Sequence, residues 1–251
     1  MEKEREILII IPAYNEGKTI GKLLDDIAET PMGDKCDILV MNDCSRDNTA
    51  EVVKSKGHKV VNHIFNLGYG CGLQTGYKYA SKRNYKYVIQ MDADGQHDPD
   101  NIEKLYKAIT TPDEDGNTPD IILGSRFLKD SPEYKSTFAK NVGYAIFNTL
   151  IRIFTGKKIT DPTTGLQALS RRTFVFYSKF NNFDEKYPDA NMITQMLLLG
   201  YRVKEIPARM HQRTEGTSMH SGLKPILYMI KMMYMIFAVW IRFGVFKIDR
   251  N

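Results

Sequence analysis

Cysteine is scarce in this chain. Cys36, Cys44 and Cys71 are the three among 251 residues, an odd number without metal-site spacing. That excludes a disulfide framework or a zinc ribbon, and reduced thiols in a cytoplasmic setting are expected. Long hydrophobic runs are also missing. A spanning helix needs about 20 apolar residues, whereas the longest uncharged stretch near the C-terminus, between Lys231 and Arg242, holds ten and is read as too short to cross a bilayer. The apolar run at 7–11 is equally short, follows acids and ends at Pro12, so it reads as a first strand and not as a secretion signal. Low-complexity tracts, repeats and a GxxxxGK[ST] loop are lacking. The Gly-rich turn Gly68-Tyr69-Gly70-Cys71-Gly72 has neither the spacing nor the position of a dinucleotide fingerprint.

What is present suits one folded α/β domain, with 42% hydrophobic and 26% charged residues. The net charge of +5 is unevenly placed: residues 198–251 carry nine Lys or Arg against three acids, a balance of +6. A basic C-terminal quarter suits phosphate ligands or an anionic surface. Nucleic acid is not an expected partner.

The chain is organised around YVIQMDADGQHDPD at 87–100. A short apolar run of the kind that makes a buried strand ends abruptly in Asp92, Asp94 and Asp98, with Gln96 among them. Carboxylates this close repel one another unless a cation sits between them. Asp92 and Asp94 would leave the pleat on different sides, one facing a metal and the other a different part of a ligand. Asp98 reads as an N-cap with Pro99 at the first position of a helix over 99–109.

Apolar runs at 6–11, 37–41, 59–62, 87–91 and 120–124 alternate with helical patterns at 15–29 and 73–83, and the segment around Ser45 and Asp47 can cap a further helix. This predicts right-handed crossovers and a mainly parallel sheet that binds ligands at the carboxyl ends of its strands. The polar clusters at 14–16, 43, 66–72, 92–96 and 125–126 all fall at those ends. In the second half a strand is expected at 166–170, a helix opening at Asp189-Ala190, a strand at 202–206 and a final helix over 223–243. Residues 134–158 hold no acid and five cations, Lys135, Lys140, Arg152, Lys157 and Lys158. At 100° per residue Lys224, Lys231 and Arg242 project within about 20° of each other from an otherwise apolar helix. Such a helix either lies in the headgroup region of a membrane or docks on the sheet with its charges in water.

With these residues in place the chain resembles the family 2 glycosyltransferases of the GT-A fold. More narrowly it is similar to their polyprenyl-phosphate hexosyltransferase branch, which includes dolichol-phosphate mannose synthases and bacterial undecaprenyl-phosphate sugar transferases. The motifs that carry this are IPAYNE at 11–16, NDCSRDNT at 42–49, NLGYGCGLQTG at 66–76, MDADGQHDP at 91–99, GSRF at 124–127, DPTTG at 161–165, GYRVKEIP at 200–207 and RTEGTS at 213–218. The resemblance implies a GT-A domain over 1–221, with a mixed, mainly parallel sheet flanked by helices, and an amphipathic membrane-associating helix over 222–251 that is not a separate domain. Pro12, Ala13, Tyr14, Glu16, Asp43 and Gly68 would hold a nucleotide sugar. Asp92 would lie by the ribose and diphosphate, and Asp94 with Gln96 and Asp92 would bind Mg²⁺ or Mn²⁺. Arg213 and Ser218 would close over the diphosphate.

An acceptor phosphate would need cations, for which Arg126, Lys157, Lys158 and Arg209 are available. An acceptor hydroxyl would need a base, and Asp189 in YPDAN stands where soluble relatives place theirs. The implied activity is inverting, metal-dependent transfer of a hexose or N-acetylhexosamine, with UDP favoured, to a polyprenyl phosphate. It implies an enzyme peripheral on the cytoplasmic face of the cell membrane, with a small membrane protein as a conceivable partner. The alternatives are transfer to a sugar hydroxyl of a growing glycan, and a catalytically silent nucleotide-binding subunit.

Overall fold

The computed structural model describes residues 5–134, 136–211 and 224–248, with the side chains of 138, 139 and 224–226 outside the description. The first half alternates strand and helix: β1 (Ile7–Ala13), α1 (Ile20–Ala28), β2 (Cys36–Asn42), α2 (Thr49–Ser55), β3 (Lys59–Asn62), α3 (Tyr69–Lys82), β4 (Tyr87–Gln90) and α4 (Asn101–Thr110). Then follow β5 (Ile121–Ser125), α5 (Phe138–Thr155), β6 (Gln167–Ser170), α6 (Arg171–Tyr177), α7 (Ala190–Leu198), β7 (Val203–Pro207) and α8 (Lys224–Val239), which continues as a π-helical turn, Trp240–Val245.

Among the described residues the sheet has seven strands in the order β3-β2-β1-β4-β6-β5-β7. β6 runs antiparallel to both of its neighbours, and the other pairings are parallel. The two-residue period of the strands sorts their apolar side chains onto two faces. Ile7, Ile9, Ile11, Val40 and Ile89 pack with Leu23, Leu24 and Ile27 of α1 and with Ile102 and Leu105 of α4. Leu8, Ile10, Leu39, Met41 and Val88 pack with α3, α6, α7 and the buried side of α8. A sheet covered on both faces explains why the strands read as continuous apolar runs.

The structure revises four local expectations. Pro12 does not end β1, which runs on to Ala13 paired with β2. Met91 N donates to Ile10 O, so Pro12, two residues further, turns its missing N–H toward the side that β4 has already left, where no ladder bond is lost. The glycines at 70 and 72 lie inside the first turn of α3 instead of forming a flexible approach to it. α4 begins at Asn101, and Asp98 accepts the Asp100 N–H at 2.9 Å just ahead of it. Finally, Leu227–Val245 forms a continuous helix of 19 residues with mean hydropathy 1.4, long and apolar enough to cross a membrane by length and composition. Counting only the charge-free stretch missed this because Lys231 and Arg242 interrupt it without outweighing its apolar bulk.

Gly70 brings α3 against residues 184–185: a Cβ there would lie 2.3 Å from Asp184 O and 2.6 Å from Glu185 O. Backbone oxygens cannot rotate away, so Gly70→Ala is expected to cost about 1–3 kcal/mol in equilibrium denaturation. An unchanged midpoint would show that this contact is looser than the structure has it.

Candidate active site

The carboxyl ends of β1, β2 and β4 carry three loops that brace one another. Asn15, with φ 56°, and Cys44, with φ 60°, are in the left-handed region, where Asn is the more readily accommodated. The turn they make is held from both sides: Asn15 N donates to Ser45 Oγ at 2.9 Å, Arg46 N to Asn15 Oδ1 at 2.8 Å, and Gly17 N to Asp47 Oδ2 at 2.9 Å. Glu16 N donates to Thr49 Oγ1 at 2.9 Å, and its carboxylate accepts the Thr19 hydroxyl at 2.8 Å. Tyr14 is exposed on this loop, with Pro12 and Ala13 directly beneath it in β1.

Asp43 is buried. Its Oδ1 accepts Leu67 N at 2.9 Å and faces His63 Nδ1 at 2.7 Å, while Oδ2 accepts Gly68 N at 2.8 Å. The carboxylate therefore fixes the turn into α3, where Gly68 takes φ 97°, a value that a side chain would strain.

β4 ends at Gln90, so Asp92 and Asp94 lie in the loop beyond it and the pleat does not sort them. Asp92 Oδ1 accepts the Tyr69 hydroxyl at 2.9 Å. Asp92 N donates to His97 Nδ1 at 3.0 Å, which leaves the proton of the neutral imidazole on Nε2, 3.7 Å from Asp92 Oδ2. Burial pushes His97 down to a pKa of about 4, against the pull of Asp94, so the ring is a neutral prop at physiological pH. Asp94 Oδ1 accepts Gln96 N at 3.1 Å, and Gln96 is joined to His211 by backbone and side-chain bonds of 2.7 and 3.4 Å. His211 Nε2 also meets Asp98 Oδ2 at 3.0 Å. The acidic loop is thus tied to the residue from which 212–223 departs. Arg213 and Ser218 lie outside the described residues.

Among the described residues, groups of three or more His, Cys, Asp or Glu able to hold a metal are absent. Two carboxylates and an amide oxygen on one loop still fit Mg²⁺ or Mn²⁺. Such hard cations take oxygen donors and are commonly held by one or two carboxylates, with substrate phosphates completing the shell. Asp94, Asp92 and Gln96 would supply the protein's share.

The acceptor-side candidates separate. Arg126 keeps 12% of its side chain exposed and spends its fork on buried Asp161, with Nε to Oδ2 at 2.7 Å and Nη2 to Oδ1 at 2.6 Å, and Nη2 also reaches Thr163 Oγ1 at 3.1 Å. Burial opposes its charge, but the Asp161 hydrogen bonds and charge outweigh burial and hold its pKa above the usual arginine range. The rings of Phe127, Tyr134 and Tyr144 enclose it, each centroid 5.3 Å away. Lys158 lines an open cleft of about 440 Å³ with Tyr144, Asn148 and Arg152, and Lys157 is exposed beside it. Arg209 instead lines a second cleft with Thr30, Pro99 and Glu103 and lies 3.8 Å from Asp98.

Asp189 stands at the N-cap of α7 and accepts a short hydrogen bond from the hydroxyl of Tyr228 on α8. Although the residue keeps part of its surface in solvent, its carboxylate is desolvated, which raises its pKa to about 6. The Tyr228 bond pulls the other way, and the negative charge of Asp92 adds to the rise. His97, Tyr69 and Tyr228 escaped the sequence reading. His97 stands inside a quoted motif, while the two tyrosines carry no local signal because their partners are 23 and 39 residues away.

A mixed sheet with its acidic loop at the end of β4, braced loops beyond β1 and β2 and a desolvated carboxylate at the start of α7 has the architecture of GT-A glycosyltransferases. The pattern of Glycosyl transferase family 2 matches residues 8–176, and the chain belongs to that family. It is an enzyme of the glycosyltransferase class. The undecaprenyl-phosphate mannosyltransferase of Micrococcus luteus is 28% identical over 86% of this chain and 88% of its own. The UDP-N-acetylglucosamine--dolichyl-phosphate N-acetylglucosaminyltransferase of Methanococcus voltae is 29% identical over 67% of this chain and 70% of its own. Among solved structures, glucosyl-3-phosphoglycerate synthase from Mycobacterium tuberculosis overlays with TM-score 0.69 at 19% identity, covering 95% of this chain and 79% of that one. That likeness shows the shared fold, and the same enzyme has been crystallised with Mn²⁺, UDP and glucosyl-3-phosphoglycerate.

Gly165 offers a steric probe of the site. A Cβ there would lie 2.6 Å from Asp92 Oδ2. Gly165→Ala should push that carboxylate aside and lower kcat/KM by about 10–100-fold, since misplacement by an ångström can cost that much. Steady-state nucleotide release checks it, and wild-type kinetics would show that the position of Asp92 is immaterial.

Proposed function

We propose that this chain moves a hexose or N-acetylhexosamine from a nucleoside-diphosphate sugar, with UDP favoured, onto a polyprenyl phosphate at the cytoplasmic face of a membrane, with inversion at the sugar carbon. The observation that carries the reading is a basic, partly apolar surface on α5 and α8, the second of which reaches Asp189 through Tyr228. Leu227, Ile230, Tyr234 and Phe237 form an exposed stripe on α8, and Ile153 is 67% exposed on α5. Neither helix contains an acid, while Arg152, Lys157, Lys158, Lys231 and Lys247 are exposed on or beside them. The other side of α8 buries Met232, Ile236 and Phe243 in the protein. A helix docked along one side cannot be ringed by lipid, so an interfacial seat is favoured over a crossing one. The relatives whose names include undecaprenyl or dolichyl phosphate support the acceptor class.

In this reading the loops at 14–17, 43–49 and 66–68 bind the nucleotide. A divalent cation bound by Asp94, Asp92 and Gln96 would neutralise charge growing on the departing diphosphate. Tyr69 and His97 hold Asp92 in place, and Arg213 and Ser218 would close over the phosphates. The acceptor phosphate is already ionised and would be drawn by Lys158 and Arg152 at the cleft beside α5. Arg126 would position that side through Asp161 and the 160–165 loop.

A second reading, transfer to a sugar hydroxyl, is favoured by one observation. Asp189 with a pKa near 6 is well matched to a general base at neutral pH.

The test offers purified protein a panel of nucleotide sugars with undecaprenyl phosphate. An organic-extractable product from a UDP-sugar is expected, and its absence with every donor would overturn the proposal. Asp189→Asn then separates the readings: less than about tenfold loss with the phosphate acceptor, against roughly 10²–10⁴-fold with a hydroxyl acceptor. In the second case kcat/KM should also fall as pH drops below about 6, because the ionised base is lost there.

A further inference from the structure

The apolar face of α8 and the candidate base are parts of one contact. Tyr228 donates its hydroxyl to Asp189 Oδ2, and its ring lies 6.0 Å from that of Tyr187, two residues before Asp189. One turn further along α8, Lys231 Nζ sits 4.1 Å over the Tyr187 ring. The segment 187–189 is therefore gripped by two side chains from a helix whose adjoining stripe, Leu227, Ile230, Tyr234 and Phe237, faces solvent. That grip is backed by α5: Phe147 meets Tyr228 at 6.4 Å, and Phe154 stacks on Trp240 at 4.7 Å. Downstream, Asp189 N donates to Asn191 Oδ1 at 2.9 Å, Met192 N donates to Asp189 O at 2.9 Å, and Asn191 Nδ2 reaches Asp184 Oδ2 at 2.9 Å. The start of α7 thus inherits whatever order α8 imposes.

We propose that Tyr228 is a positioning residue that couples seating of α8 on an anionic bilayer to ordering of the Asp189 segment, so that the acceptor side of the site is completed at the membrane. This rests on the interfacial reading of α8 above. The occupant is an anionic lipid surface because the layer formed by α5 and α8 is cationic and acid-free, whereas an acidic protein partner is an alternative for the test to detect. The energetic logic is that of local stability. Residues 184–189 are exposed or half-buried ahead of the buried body of α7; a segment held by a few contacts opens readily, and holding its partner helix on a surface reduces that opening. By linkage, ligands on the site should in turn favour the docked helix.

The experiment reads hydrogen exchange of the amides of 184–190 in the full chain, alone and on vesicles of phosphatidylglycerol and phosphatidylcholine, without donor or acceptor. Vesicle binding is measured in parallel by sedimentation. Wild type and the control Tyr234→Phe should show exchange slowed by about threefold or more on vesicles, a shift well within the range of local opening. Tyr228→Phe should bind vesicles equally and lose most of that protection. If Tyr228→Phe does not fold, Asp189→Ala removes the same hydrogen bond from the other side and should give the same result. Equal protection in Tyr228→Phe, or no protection in bound wild type, overturns the coupling while leaving the functional reading intact. Failure of wild type to bind vesicles overturns the coupling and the membrane reading together, and points to a protein partner for this face.

Discussion

Crowding of carboxylates where the parallel strands end is the constraint around which this molecule is built. Asp92, Asp94, Asp98, Asp161 and Asp189 converge on one edge of the sheet, and each like charge brought closer raises the cost of ionising the next. The structure meets that cost separately for each, and for Asp94 through the Gln96 N–H at 3.1 Å. Buried Asp161 is matched by Arg126, Asp98 meets His211 and Arg209, and Asp189 takes the Tyr228 hydroxyl. Asp92 is held by Tyr69 and by a neutral His97. Among the described residues the arginines paired with these acids are Arg126 on Asp161 and Arg209 near Asp98, while Asp92 and Asp94 stand in the loop that leaves β4.

Two halves of the chain meet at that edge with different kinds of support. On the β1 to β4 side, backbone amides and short polar side chains brace the loops through Asp43, Asn15 and Asp47, which makes a rigid cradle. On the other side the site leans on helices. Glu205 accepts the Thr160 and Asp161 amides at 2.8 to 3.0 Å and sets the loop that carries Asp161, while α7 and α8 meet at Asp189.

The strands and most helices were legible because their two-residue and 3.6-residue apolar periods survive in the structure, and the polar clusters were legible because a parallel sheet gathers its functional loops at one edge. What was hidden depends on contacts distant in sequence. Gly70 looks like a hinge but serves close packing against residues 184–185. Arg126 reads as a free cation until Asp161, 35 residues on, is seen to occupy its fork. The stripe drawn through Lys231 and Arg242 assumes an ideal helix, yet Lys231 lies over Tyr187 and Arg242 falls in a π-helical turn, where the angular step per residue is smaller. The role of Tyr228 could not be found by any pattern, since a tyrosine on an apolar helix is ordinary packing material.

The central claim is that the Asp92 to Gln96 loop offers its oxygens to a divalent ion beneath a nucleotide diphosphate. Crystals grown with manganese and UDP test it most directly, because the anomalous signal of the metal locates it independently of the surrounding density. The account predicts a manganese peak within coordination distance of an Asp94 oxygen, with Asp92 or Gln96 alongside and both phosphates of UDP on the same ion. A nucleotide bound with the metal elsewhere, or with these side chains turned away from it, would contradict it.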